Sequence, residues 1–182
     1  VLAQDARTPV VAVLLPRSSF DRVLKDASRR ALGNVSAVVL DQPFARRVEL
    51  LRLALPDAKH VGVLMGPESV ASQTALGQAL QAAGVSIIST HFCWHEAQVP
   101  TIATMVPRAA FTQVTGRLRK ELSVPLITSN RINMPDVAES VLERGDADIV
   151  SMARPMLADP ELVLKAQQGR EDEINTCIAC NQ

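Results

Sequence analysis

Short runs of valine and isoleucine alternate with segments of helical period along this chain, and no other feature constrains its fold as strongly. Strands that are apolar on both faces are typical of a parallel sheet covered by helices. We therefore predict the α/β class, as a flavodoxin-like doubly wound sheet of about six mainly parallel strands. A half-barrel-like open sheet completed by dimerisation is the alternative. The predicted strands are Val10–Leu15, Ala37–Asp41, His60–Met65, Val85–Ser89, Pro125–Thr128 and Ala147–Met152.

The helix ends carry residues that favour capping. Ser18, Asn133 and Asp159 precede or open helical segments and are predicted as N-caps. Gly84 and Gly145 stand where a helix ends and are predicted as the left-handed residues of C-terminal caps. These boundaries place a helix between each pair of strands.

Composition excludes several classes of partner. Lysine plus arginine numbers 19 and aspartate plus glutamate numbers 19, so no net field favours nucleic acid or an anionic membrane. No apolar run reaches the roughly 20 residues that span a bilayer, and no signal peptide is apparent at Val1. We expect a single compact domain over residues 1–182, in the cytoplasm. The missing initiator Met suggests a trimmed chain or a gene fragment.

Two arginines follow consecutive predicted strands. Arg131 comes after the fifth strand and Arg154 after the sixth, with one helix between them. Neighbouring parallel strands end at the same edge of a sheet, where ligands bind, so both guanidinium groups could face one phosphate. Solvated loop arginines are the alternative. No glycine-rich dinucleotide fingerprint and no Walker motif is present.

The stretch "HFCWHE" combines a thiol, two imidazoles and a carboxylate. His91 and His95 have metal-ligand spacing only if this stretch is helical, and we predict a long loop. A single imidazole, His95, acting as a proton or hydrogen-bond donor near a ligand fits better. An exposed or packed histidine remains the alternative.

From Trp94 onward the chain resembles the 2,4-dienoyl-CoA reductase branch of the old yellow enzyme family, in its later barrel units. The motifs that carry the resemblance are "WHEAQVPTIAT", "SNRIN", "SMARPMLADP" and "INTCIACNQ". The resemblance implies an FMN cofactor whose phosphate is held at Arg131, Ala153 and Arg154. It therefore points to the same two arginines as their position at the strand ends.

The same resemblance implies a substrate pocket. His95 matches the family's histidine that assists protonation of the enoyl substrate, and His95, Glu96, Ala97 and Gln98 match the segment lining the pocket. Gln98 replaces the family's arginine, which removes a positive charge. The chain contains no tyrosine to supply the family's partner tyrosine.

The last residues resemble the start of an iron–sulfur motif. Cys177 and Cys180 match the first two ligands of the family's [4Fe–4S] centre, which needs four thiolates. Because the sequence stops at Gln182, we expect this metal site to be unoccupied in one copy of the chain. A site shared across a dimer is the alternative.

The first half, with "ARTPVVAVLLPRSSFDRVL" and "LDQPFARRVELLRLALPDAKHVGVLMGPES", resembles an internal fragment of the periplasmic substrate-binding proteins of ABC transporters. The interpretation is a recombined or engineered chimera of segments 1–90 and 91–182. It keeps a remnant site for FMN or a small anion without full catalysis. The alternatives are an active FMN-dependent enoyl reductase, a small-ligand module using Arg17, Ser18, Asp41 and Glu68, or a ligand-free scaffold. Unpaired sheet edges predict a possible homodimer.

Overall fold

The structure is a computed structural model that describes residues 10–26, 35–58, 60–63, 72–92 and 100–180. The chain forms two compact units, Val1–Ala71 and Ser72–Gln182. The sequence analysis predicted one compact domain with an internal join near residue 90, whereas the chain divides between Ala71 and Ser72. Each unit is described by itself.

The first unit contains one parallel strand pair and two helices. Strand β1 (Val10–Leu15) pairs with β2 (Val35–Val39), with Val10 opposite Val35. The helices are α1 (Arg17–Asp26) and α2 (Phe44–Ala54).

The start of α1 is capped from the loop after β2. The backbone N–H of Arg17 donates to the Asp41 carboxylate at 2.6 Å. Ser18 was predicted as the N-cap of α1. That prediction is wrong, because α1 begins at Arg17 and Ser18 is its second residue. A carboxylate at this position also suits the positive end of the helix dipole. Asp41, predicted as the last residue of β2, lies beyond that strand.

The second unit contains a three-stranded parallel sheet in the order β3–β4–β5. Its strands are β3 (Ile88–Ser89), β4 (Leu126–Thr128) and β5 (Ile149–Val150). Its helices are α3 (Gln73–Ala82), α4 (Thr112–Arg119), α5 (Pro135–Glu143), α6 (Arg154–Ala158) and α7 (Leu162–Gln167), with a 3₁₀ turn at Glu171–Glu173.

The predicted α/β class is confirmed, and every strand pair in the described residues is parallel. The described strands form two sheets, where one sheet of about six strands was expected. Residues 60–63 form no strand, and 64 and 65 lie outside the described residues. Strands β3 and β5 are short, yet ladder bonds continue beyond them, because Thr90 N–H donates to Ile127 O and Ser151 N–H donates to Thr128 O.

No described helix is long and apolar enough to cross a membrane.

The apolar core of the second unit lies between α4 and β4. Leu118, Leu122 and Leu126 are buried together, and Ile88 and Val124 pack against them. Leu126 is fully buried at the centre of the sheet. The continuous apolar run that predicted this strand therefore reflects burial on both faces.

A row of buried threonines joins the same elements. The Thr115 hydroxyl lies 2.8 Å from that of Thr90 and 3.0 Å from that of Thr128. Thr90 donates to Ile127 O at 2.9 Å, so its hydroxyl must accept from Thr115, which in turn accepts from Thr128. Each hydroxyl donates once, and the row ties the last residue of β4 to the residue after β3.

The two predicted C-terminal caps are confirmed, and the predicted N-caps are wrong. Gly84 and Gly145 adopt φ values of 88° and 69° after α3 and α5, which confirms the two C-terminal caps. The prediction for Asp159 is wrong, because the N-cap of α7 is Glu161, although the Asp159 carboxylate accepts the Glu161 N–H at 3.0 Å. The prediction for Asn133 is wrong, because the N-cap of α5 is Met134.

Candidate functional site

A cavity of about 180 Å³ opens at the carboxyl ends of the three strands of the second unit. The described residues that line it are His91, Ile102, Ser129, Asn130, Arg131, Ile132, Asn133, Ser151, Met152, Ala153, Arg154, Pro155, Cys177 and Ala179. Two are arginines and none is a carboxylate. We call this the strand-end cavity.

The turn after β4 shapes one wall of this cavity. Asn130 and Arg131 both have positive φ, 73° and 56°, and this left-handed conformation costs roughly 1–2 kcal/mol for most residues. Asparagine adopts it more readily than other residues. The Asn130 amide holds the turn by accepting from Phe92 N–H and donating to Phe92 O, each at 3.1 Å. Ala109 N–H also donates to Arg131 O at 2.9 Å.

The Arg131 guanidinium is fixed by backbone carbonyls. Its Nε donates to Val106 O at 2.7 Å and its Nη2 to Thr104 O at 3.4 Å. Burial lowers the pKa of Arg131, and the nearby charge of Arg108 lowers it further, while Cys177 opposes both effects. The group remains a cation, because arginine does not deprotonate in proteins.

Arg154 reaches the cavity from the turn after β5. It is the first residue of α6, directly after Ala153, and it is half-buried. The structure thus brings Arg131, Ala153 and Arg154, which the sequence analysis selected, to one cavity. Two cationic side chains at one cavity favour an anion there.

Sequence reasoning did not assign a role to Ser129, which anchors a histidine. His91 Nδ1 lies 2.8 Å from Ser129 Oγ, and its Nε2 lies 3.3 Å from Ser89 Oγ. Ser129 is buried, and its hydroxyl also reaches Thr90 O at 3.1 Å. The sequence feature that could have identified this role is a serine directly after a strand predicted to be buried.

Asn133 was assigned the wrong role and lies in the cavity wall. Its Nδ2 donates to Cys177 O at 2.8 Å, which sets the orientation of the amide. Its Oδ1 is buried and has no hydrogen-bond partner among the described residues. A buried acceptor without a donor costs about 1–3 kcal/mol.

The two candidate metal ligands lie at the end of the described chain. Cys177 is half-buried and lines the strand-end cavity, and Cys180 is exposed. Within residues 10–180 as far as they are described, no group of three or more His, Cys, Asp or Glu could hold a metal ion. Two thiolates do not by themselves fit a cluster that needs four.

Some predicted site residues cannot be placed. His95, Glu96, Ala97, Gln98 and Glu68 lie outside the described residues. In the first unit Arg17 and Asp41 contact each other through the bond that caps α1. That bond gives both residues a structural role.

Comparison with known proteins identifies the second unit's relatives. Residues 61–173 match the NADH:flavin oxidoreductase / NADH oxidase family, and this match begins upstream of Trp94, where the sequence resemblance was first recognised. A metal reductase of Desulforamulus reducens is 45% identical over 105 residues, 58% of this chain and 16% of the relative. An NADH oxidase of Thermoanaerobacter brockii is 32% identical over 111 residues, with the same two coverages.

A solved structure supports the same relationship. The complex of 2-naphthoyl-CoA reductase with 2-naphthoyl-CoA superimposes with a TM-score of 0.55 at 31% identity. It covers 63% of this chain and 17% of the reductase. The chain therefore spans about one sixth of these relatives. Because the family match extends over more than half of its residues, the chain belongs to the NADH:flavin oxidoreductase / NADH oxidase family.

Proposed function

We propose that the second unit holds the phosphate of FMN in the strand-end cavity, as part of the FMN site of an NADPH-dependent flavin oxidoreductase. The observation that carries this proposal is the meeting of Arg131 and Arg154 at one cavity, from turns that follow neighbouring strands β4 and β5. Guanidinium groups suit phosphate because they offer parallel N–H donors and a fixed charge.

The described residues fit one end of the cofactor. A volume of about 180 Å³ suits a phosphate and part of its chain, whereas sites for whole drug-sized molecules are about 300–1,000 Å³. FMN, when bound, supplies electron and hydride transfer. Within this chain, Arg154 contributes charge, Ala153 leaves room for close approach, and Ser129 with Asn130 holds the turn that carries Arg131.

Arg131 acts from a fixed position. It donates through Nε and Nη2 to backbone carbonyls. Those bonds already meet the cost of ordering its side chain, so its charge is held at the cavity with little further loss of entropy.

Full hydride-transfer catalysis is proposed to be absent from this chain alone. The resemblance assigns protonation to His95 with a tyrosine partner, and the chain has no tyrosine. Gln98 stands where the family carries an arginine. An active FMN-dependent enoyl reductase remains the rival proposal, and it predicts NADPH-dependent reduction of an enoyl substrate by the purified chain.

We also propose that the first residues derive from a periplasmic binding protein, so that the chain is a chimera. The resemblance of the first half supports this origin. The family match from residue 61 limits the segment of different origin to the residues before it.

Titration with FMN tests the phosphate site. Flavin fluorescence of the full chain should show binding that Arg154→Ala weakens by at least about tenfold, since losing a charge-assisted hydrogen bond costs roughly 1.5–3 kcal/mol. Arg131→Ala should also weaken it. Arg117→Ala, which removes an exposed arginine of α4, is the matched control and should change nothing.

Riboflavin separates phosphate binding from ring binding. It lacks the phosphate, so it should bind more weakly than FMN, and Arg154→Ala should not affect it. Equal affinity for FMN and riboflavin, or an Arg154→Ala variant that binds FMN like the original chain, would show that the cavity does not hold the phosphate.

A further inference from the structure

A second cavity of about 340 Å³ shares Arg131, Asn133 and Cys177 with the strand-end cavity. It is bounded by the loop before α4, the turn after β4 and the last described residues. The described residues that line it are Thr104, Arg108, Arg131, Asn133, Thr176, Cys177 and Ile178. We call this the arginine cavity. Thr104 closes its floor by donating to Ile178 O at 2.8 Å and approaching Ala179 O at 3.1 Å.

The arginine cavity is lined by two guanidinium groups and, among the described residues, by no carboxylate. Arg108 is exposed, and among the described residues it makes no ion pair with a carboxylate. It is close enough to Arg131 for its charge to lower the pKa of that residue. Two guanidinium groups that repel each other across a cavity are stabilised by an anion between them.

Arg131 is oriented to receive such an anion. Its Nε and Nη2 donate to Val106 O and Thr104 O, which fixes the plane of the guanidinium. Its Nη1 donates to no acceptor in the described part of the chain. A positioned donor of this kind binds an oxyanion with little loss of side-chain entropy.

A second, independent observation that points to a ligand comes from the wall that the arginine cavity shares with the strand-end cavity. Asn133 lines both cavities, and its Oδ1 is the buried acceptor that no described residue satisfies. The bond from Nδ2 to Cys177 O prevents the amide from turning to satisfy it. A hydrated anion, or one that keeps a proton, brings the hydrogen-bond donor that this wall lacks.

From these features we infer that the arginine cavity is a second anion site, which binds a phosphate dianion between Arg108 and Arg131. This goes beyond the proposed flavin site, because the cavity is distinct and Arg108 does not line the first one. A dianion is favoured over a monoanion because two cations face the cavity. The phosphate is either free or the phosphoryl group of an ester. The free dianion carries its own proton for Asn133 Oδ1, whereas an ester dianion carries none and reaches that oxygen through a bound water.

Side-chain NMR of the full chain resolves the site. Inorganic phosphate and glycerol 3-phosphate are titrated separately while the Nε–Hε signals of Arg108 and Arg131 are followed. Sodium acetate and sodium chloride at matched ionic strength are the controls for a monoanion and for screening. Phosphate is expected to shift both signals with saturation and to bind at least about tenfold tighter than acetate. The tighter of the two phosphates identifies the source.

Arg108→Gln is the decisive variant. Arg108 is exposed and makes no described hydrogen bond, so its replacement should leave the fold intact. It should weaken phosphate binding at the Arg131 signal by about tenfold, while Arg117→Gln has no effect. Shifts that chloride reproduces, or an unchanged affinity in Arg108→Gln, would overturn the second site.

The flavin proposal and this one fail separately. Arg108→Gln should leave FMN affinity unchanged, and Arg154→Gln should weaken FMN without changing the phosphate response of Arg108. FMN at saturation should still allow phosphate to shift the Arg108 signal. If FMN abolishes that response, the two cavities act as one site and the inference is wrong. If no FMN binds but Arg108 still responds to phosphate, the flavin proposal alone fails.

Discussion

The two units build parallel strands from similar residues and cover them very differently. Strands β1 and β2 of the first unit are the longest described, yet Val11, Val13 and Val38 are 56%, 59% and 62% exposed. In the second unit β4 has three residues, and Leu126 and Thr128 are fully buried. The apolar runs predicted strands correctly in both units. They also predicted burial in both, and that prediction is wrong for β1 and β2.

The difference follows from what surrounds each sheet. Strand β4 has a strand on each side, and Leu118 of α4 and Leu122, which follows that helix, are buried with Leu126. Strands β1 and β2 pair only with each other among the described residues, and α2 buries a single residue, Val48. The candidate site occurs where burial is greatest, because side chains hold a defined geometry only when their neighbours restrict them.

The comparison predicts its largest effect at Leu126. Leu126→Ala removes a fully buried side chain from the core and should reduce the free energy of unfolding of the second unit by about 2–5 kcal/mol. Val13→Ala, at a 59% exposed position, is the matched change in the first unit and should cost much less. Urea unfolding followed by circular dichroism measures both losses of unfolding free energy. Amide exchange shows which unit is destabilised. Equal losses would remove the distinction between the units.

The threonine row should give the next effect. Thr115→Val leaves the Thr128 hydroxyl as a buried donor without an acceptor and should cost about 1–3 kcal/mol of unfolding free energy. Thr128→Val removes the donor instead and should cost less. The double variant should cost less than the sum of the two changes, because it leaves no orphaned donor. Strict additivity in this urea-unfolding cycle would show that the hydroxyls do not act as a row.

These residues also mark how far the sequence could predict the fold. The alternation of apolar runs and helical periods predicted the class, and the strand-end rule selected Arg131 and Arg154. The row at Thr115 could not be predicted, and Asn133 was wrongly predicted as an N-cap, because a sequence pattern records only which face of an element is apolar. Whether a polar side chain on that face finds a partner depends on residues distant in sequence.

The turn after β4 illustrates the same limit in the site. Its motif "SNRIN" placed the right residues at the cavity, but the left-handed backbone at Asn130 and Arg131 sends the Arg131 guanidinium to Val106 O. Arg108 shares a cavity with Arg131 for this reason, and no spacing rule joins them. Sequence predicted the charges near the site, and the backbone determined which charges meet.

Acid should destabilise the second unit through Asp159. This buried carboxylate has its pKa lowered by the hydrogen bond from Lys165 Nζ at 2.7 Å and by the backbone N–H of Asn175 at 2.9 Å. Its stabilisation is therefore full above the pKa of an unfolded aspartate, about 3.9, and is lost as pH falls through the lower folded value. Urea midpoints from pH 6 downward, at values of about 0.5 unit spacing, measure this loss.

Asp159→Asn supplies the control for that experiment. The variant should be less stable at neutral pH, and its midpoint should fall less steeply in acid, because the titrating group is gone. Amide exchange should place the acid-dependent loss in the second unit. A variant with the same acid slope as the original chain would assign the effect to other carboxylates.

The smallest effect is predicted on the exposed face of β2. Val38→Thr keeps the branched side chain that suits a strand and replaces one methyl by a hydroxyl at a 62% exposed position. In an isolated chain this change should alter the free energy of unfolding by no more than about 0.5 kcal/mol.

We propose, however, that unpaired sheet edges allow the chain to form a homodimer, and a dimer could cover this face. The two cases differ in concentration dependence, because self-association stabilises by mass action. Urea midpoints at two chain concentrations, together with light scattering, decide between them. A Val38→Thr loss that grows with concentration would mean that the first unit is buried after all, by a second copy, and that the contrast between the units holds only for the single chain.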